Sequence, residues 1–114
     1  MLIGNRTNVG AGARVDNVLA GQYIEFPPRH GYIQYGLTSD LTAVTADDFS
    51  VDVVSGTDII ARALAPRASG AQPVYPDDFH LSDAVAAGDR QIIGVSNKNA
   101  GAKNLFWSLI YDMA

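Results

Sequence analysis

The stretch DDFSVDVVSG, residues 47–56, decides how the rest of the chain is read. Phe49, Val51 and Val53 alternate with Ser50 and Asp52, the period of two that turns one set of side chains to a core and the other to water. Ser55-Gly56 then predicts a tight turn into a second strand, TDIIARAL. The opening of this stretch is echoed in PDDFHLSD, residues 76–83. Asp47, Asp48 and Asp52, or Asp77, Asp78 and Asp83, could offer oxygens to a calcium ion. Their spacing departs from the D-x-D-x-D-G loop, and alternation turns Asp52 away from Asp47. The simpler reading is a corner used twice: an Asp side chain caps the turn, and Phe49 or Phe79 is the first inward anchor of a strand.

Other segments extend the pattern. GQYIEF reads as a short strand stopped by Pro27-Pro28, which lack the amide donors a ladder needs. In GYIQYGL, Ile33, Tyr35 and Leu37 alternate with Tyr32, Gln34 and Gly36. DDFHLSD adds a short strand, and SDAVAAG reads as one helical turn with Ser82 or Asp83 as its cap. DRQIIGVSN and NLFWSLIYDM read as two strands joined by a hairpin loop, KNAGAK. The last is apolar on both faces, Leu105, Trp107, Leu109 and Tyr111 on one and Phe106 and Ile110 on the other, as suits a strand in mid-sheet with both sides covered. Ile93, Val95, Trp107 and Leu109 are expected in one core with Phe49, Val51 and Val53. Residues 65–76 form a long loop with three prolines, a length that points to function or an interface. Residues 1–17, rich in Gly and Asn, read as an irregular N-terminal arm before a β-sandwich domain at 18–114. Short strands with turn residues between them predict an all-β antiparallel β-sandwich, a single jelly roll before an immunoglobulin-like one.

Composition narrows the function. A chain of 114 residues forms one domain. Eleven of its twelve acids are Asp and only Glu25 is Glu, a bias towards turns over helices. Charged residues are 18%, under the roughly 25% usual for soluble domains, as in proteins that hide surface against partners. A net charge of −4 speaks against nucleic acid as a partner, and the absence of Cys excludes disulfides and thiolate metal sites. No apolar run is long enough to span a membrane and no signal-peptide pattern opens the chain, so a cytosolic origin is expected.

Candidate chemistry is sparse. His30 and His80 lack metal-ligand spacing and read as surface residues. GVSNK around Ser96 lacks the second Gly of a nucleophile elbow, and NVGAGARV lacks the third Gly of a phosphate cradle. No catalytic residue, metal or cofactor is therefore expected. Tyr23, Tyr32, Tyr35 and Tyr75 could form a sugar-stacking face, whereas Trp107 belongs in the core.

VDNVLAGQYIEFPPRHGYIQYGLTSD, FSVDVVSGTDIIA and PVYPDDFHLSDAVAAGDRQIIGVSNKNAGAKNLFWSLIYDM together resemble the small single jelly-roll structural proteins of bacteriophage virions. The resemblance lies in the short strands, the AAGDR turn, the paired final strands and the Gly-rich segment before them. It implies a non-enzymatic coat, cement or decoration subunit of a capsid, made in the host cytoplasm and residing in the virion. Its partners would be other capsid subunits, either further copies of itself or a major capsid protein. Assembly is expected through the N-terminal arm and the 65–76 loop, with Arg6, Arg14, Pro66, Arg67 and Tyr75 at the interface. The alternative is a carbohydrate- or receptor-binding module on the same sandwich.

Overall fold

A computed structural model describes residues 2–39, 49–68, 71–75, 77–99 and 101–113. The strands are β1 (Leu2–Val9), β2 (Arg14–Val15), β3 (Gly31–Ser39), β4 (Phe49–Ser55), β5 (Asp58–Leu64), β6 (Arg67–Ala68), β7 (Leu81–Val85), β8 (Gln91–Asn97) and β9 (Lys103–Met113). They form two sheets. The first, sheet A, has the order β1-β9-β3-β6, with β7 also paired to β3. The second, sheet B, has the order β2-β8-β4-β5. Apart from the two-residue β6, every pairing is antiparallel. With β6 set aside, the chain changes sheet at every connection except the β4–β5 hairpin, whose turn carries Gly56 at φ +58.

One hydrophobic core lies between the sheets, so the protein is an all-β sandwich. Sheet B contributes Phe49, Val51, Val53, Ile93 and Val95, while sheet A contributes Ile33, Tyr35, Leu37, Leu105, Trp107, Leu109 and Tyr111. The parity read from the sequence for β3, β4, β8 and β9 is the parity of burial. β9 lies between β1 and β3, in mid-sheet as its two apolar faces suggested.

Four local expectations are corrected. The expected arm is not irregular: Leu2–Val9 is a strand in register with β9 from Leu2↔Ile110 to Val9↔Lys103, and Arg14 and Val15 pair with β8. Its Gly and Asn mask a pattern in which only Ile3, Thr7 and Val9 turn inward. GQYIEF is a 3-10 turn, Tyr23–Glu25, because these residues have no strand beside them and Ile24 instead plugs one end of the core. The helical turn proposed after Ser82 is β7, paired from Gly31↔Val85 to Tyr35↔Leu81. The turn follows it, with Gly88 at φ +85 and the Asp89 carboxylate accepting from the Ala86 amide at 3.0 Å. KNAGAK is no hairpin either, since β8 and β9 belong to different sheets.

That last crossing is organised by one buried side chain. Asn97 Nδ2 donates to the carbonyls of Val9, Gly10 and Gly101 at 3.0, 3.2 and 3.1 Å. Its Oδ1 accepts from the Asn99 amide at 2.9 Å. A carboxamide has both donors and acceptors, so one residue satisfies backbone groups from three segments at the corner.

Candidate functional site

Parts of the two segments expected to form an interface, β1 and Gln72, Pro73 and Tyr75 of the 65–76 loop, line one groove. Its floor is the outer face of sheet A, represented by Ser108 and Ile110 of β9. β1 supplies Leu2, Gly4 and Asn5 along one wall, and the 71–79 segment supplies Gln72, Pro73, Tyr75 and Phe79 along the other. The groove is an open trough of about 680 Å³.

The second wall is held to its own sandwich. Thr38 Oγ1 donates to the Ala71 carbonyl at 2.6 Å, and Ser108 Oγ donates to Gln72 Oε1 at 3.3 Å. A Cβ at Gly36 would lie 2.8 Å from Pro73 Cβ and 2.9 Å from the Phe79 ring, so only glycine lets this segment sit directly on β3. Phe79 therefore packs on the outside of sheet A rather than serving as an inward anchor, and it meets Tyr75 edge-on at 5.4 Å. Phe49, its counterpart in the echoed motif, is fully buried in the core.

Asp78 closes this wall. The Asp78 amide donates to the Val74 carbonyl at 2.9 Å, and Asp78 Oδ2 accepts from the Val74 amide at 2.9 Å. Its other oxygen is 3.3 Å from the Arg67 guanidinium. Asp77 is exposed, and Asp83 sits on β7 opposite Ile33, so the three aspartates do not converge. Asp47 and Asp48 lie outside the described residues. Asp52 works within sheet B: its Oδ1 accepts from the Ala63 amide at 2.8 Å, at a bulge where Ala63 adopts φ +53. Among the described residues no group of three His, Asp or Glu could hold a metal.

Of the five residues expected at an interface, Arg6 is exposed on β1, and Tyr75 lines the groove with half its surface free. Arg67 is exposed beside Asp78. Pro66 is buried in its own chain, lining a cavity of about 180 Å³ between Leu37 and Leu64, and offers no surface. Arg14 lies on the far side, over sheet B, where it donates to Ser96 Oγ at 2.7 Å and pairs with Asp16 and Asp52 at 3.2 and 3.4 Å. Ser96 is thus engaged by Arg14. His30 and His80 are both exposed, and His30 Nδ1 accepts from the Ala87 amide at 3.1 Å. The tyrosines divide: Tyr23, Tyr32 and Tyr75 are exposed, while Tyr35 and Tyr111 are in the core.

Two polar assemblies that the sequence did not single out have structural duties. Tyr35 donates its hydroxyl to Gln91 Oε1, and Gln91 Nε2 donates to Ser55 Oγ at 2.9 Å, linking the two sheets inside the core. Burial pushes the Tyr35 hydroxyl up to about 12. Glu25 accepts from the Gly21 amide at 3.0 Å and from Arg90 Nε at 2.9 Å. The Gly21 amide, followed by Arg90, holds its carboxyl below the usual range. The only signal for either in the sequence is a polar residue at an inward parity or a lone Glu among aspartates.

Compared with known protein families and with curated proteins, the chain matches no family model and no curated protein.

Proposed function

We propose that this protein is a non-enzymatic structural subunit of a virion, a capsid coat, cement or decoration protein. The observation that carries the reading is the groove: β1 and the 71–79 segment flank one apolar trough on sheet A. Leu2 and Tyr75 are more than half exposed there, an arrangement suited to a protein partner. Strand order supports it. With β6 set aside, the two sheets read β1-β9-β3-β7 and β2-β8-β4-β5, the interleaved order of an eight-strand jelly roll. Its partners are other capsid subunits, further copies or a major capsid protein. Arg6, Arg67 and Tyr75 remain the contact residues of choice.

A second reading, a carbohydrate- or receptor-binding module, is favoured by Tyr75 and Phe79, which line the same trough as Asn5 and Gln72. Light scattering and electron microscopy of the native material separate the two. Particles many times the mass of one chain are expected. A monomer that binds a glycan panel and loses that binding on Tyr75→Ala would overturn the structural-subunit reading.

A further inference from the structure

We infer that β1 pairs edge to edge, antiparallel, with β1 of a second copy of this chain, so that sheet A continues across a two-fold axis through Asn5. Among the described residues β1 is the terminal strand of sheet A, eight residues long, with nothing beyond it. An unpaired strand edge is a template for another strand unless something blunts it. The other edges are blunted. β2 and β6 have two residues each. β5 is broken by two register shifts and by the left-handed Ala63. β7 carries Asp83 in mid-strand. β1 is long and regular by comparison, and Arg6 is its one charge in eight residues, where the Asp83 of β7 sits among five.

The backbone restricts the register. The Arg6 amide donates to the neighbouring Asn5 Oδ1 at 2.7 Å and not across to β9, so it points away from the sheet. In an antiparallel ladder this direction alternates, so Leu2, Gly4 and Asn8 also turn their backbone groups outward. A second β1 can exchange hydrogen bonds only if outward residues face outward residues. Any two-fold register centred on a residue satisfies this, and those centred on Asn5 and Arg6 keep the most overlap. Centring on Gly4 shortens the overlap to Leu2–Arg6. Centring on Arg6 sets two guanidinium groups directly opposite, which repels. Centring on Asn5 sets Arg6 against Gly4 and Leu2 against Asn8, so each Arg side chain lies over a residue without one. In this register the Arg6 amide exchanges its own Asn5 oxygen for a carbonyl of the second copy. The contact is at the small end of interface sizes, so association of micromolar strength is expected.

The inference rests on β1 being an assembly surface and not on the virion. Particles that still form from an edge-blocked chain refute it and leave the virion reading standing; dimers without particles do the reverse. The test is sedimentation of the full chain with three variants. The purified wild-type chain, apart from the native particle, is expected to shift from monomer to dimer across the micromolar range. Arg6→Pro removes only an outward amide, which an edge strand tolerates, and is expected to be monomeric with unchanged far-ultraviolet circular dichroism. In the Asn5-centred register the two Asn5 Cα atoms form a non-hydrogen-bonded pair about 4.5 Å apart, inside the span of a disulfide. The chain has no cysteine, so Asn5→Cys is expected to cross-link to itself on mild oxidation and Asn8→Cys is not. A wild type monomeric at millimolar concentration, a dimeric Arg6→Pro, or equal cross-linking of the two Cys variants each overturns the inference.

Discussion

The two sheets share one core but treat their outer faces differently. In sheet B, β4 alternates strictly between buried and half-buried residues, and the part of the outer surface around Gly94 is polar, with Arg14 lying over it between Ser96 and Asp52. In sheet A, β3 is buried continuously from Tyr35 to Ser39, because the 71–79 segment lies on it from outside. Burial on two faces removes the alternation that burial on one face imposes. The lesson is that the loop and the sheet it covers were shaped together: Gly36 and Ser108 are small where Pro73 and Gln72 come down.

The largest expected effect comes from removing residues 2–9. If β1 is a strand of sheet A rather than an arm, the truncated chain loses Val9 from the core and bares one edge of β9, and cooperative unfolding should disappear from its thermal melt. A truncated chain that melts like the full one would return the segment to the status of an arm. Next in size is Trp107→Ala, which empties the largest buried side chain and leaves Thr7 Oγ1 without the indole donor 3.1 Å away. A loss of about 3–5 kcal/mol in chemical denaturation is expected. A loss below about 1 kcal/mol would show that the shared core does not depend on sheet A's inner face.

The link between the sheets can be tested with alkali. The Tyr35 hydroxyl titrates at about 12 when folded and near 10 when unfolded. The raised folded value means that its contribution is fully present below pH 10 and is lost as pH rises through about 12. On the order of 2–3 kcal/mol of stability should go in that window. In Tyr35→Phe the stability should be lower at neutral pH and this alkaline slope absent. An unchanged slope would mean that Tyr35 is not the group responsible.

The smallest effects are the sharpest comparison of the outer faces. Gly36→Ala forces a methyl against Pro73 and Phe79 and should cost about 1–3 kcal/mol. Arg14→Ala, on the exposed face of sheet B, removes two solvent-screened ion pairs and should cost about 0.2–1 kcal/mol. Equal losses would abolish the distinction between a covered and an open sheet.

Parity alone determined the inward sets of β3, β4, β8 and β9, because a strand with a buried face records that face at every second residue. Turn chemistry marked Ser55-Gly56, and the two apolar faces of β9 marked its central position. Tertiary structure decided the rest. β1 is held by backbone pairing to β9, which polar side chains and glycine permit without announcing it. Leu81–Val85 became a strand and not a helical turn because β3 offers it an edge to pair with. Phe49 and Phe79 follow the same Asp-Asp pair yet face the core and the outside respectively, because the second lies in a segment folded back over its own sheet. The groove between β1 and residues 71–79 joins positions far apart in the chain. Local pattern records which way a side chain faces, but not what the fold brings to meet it.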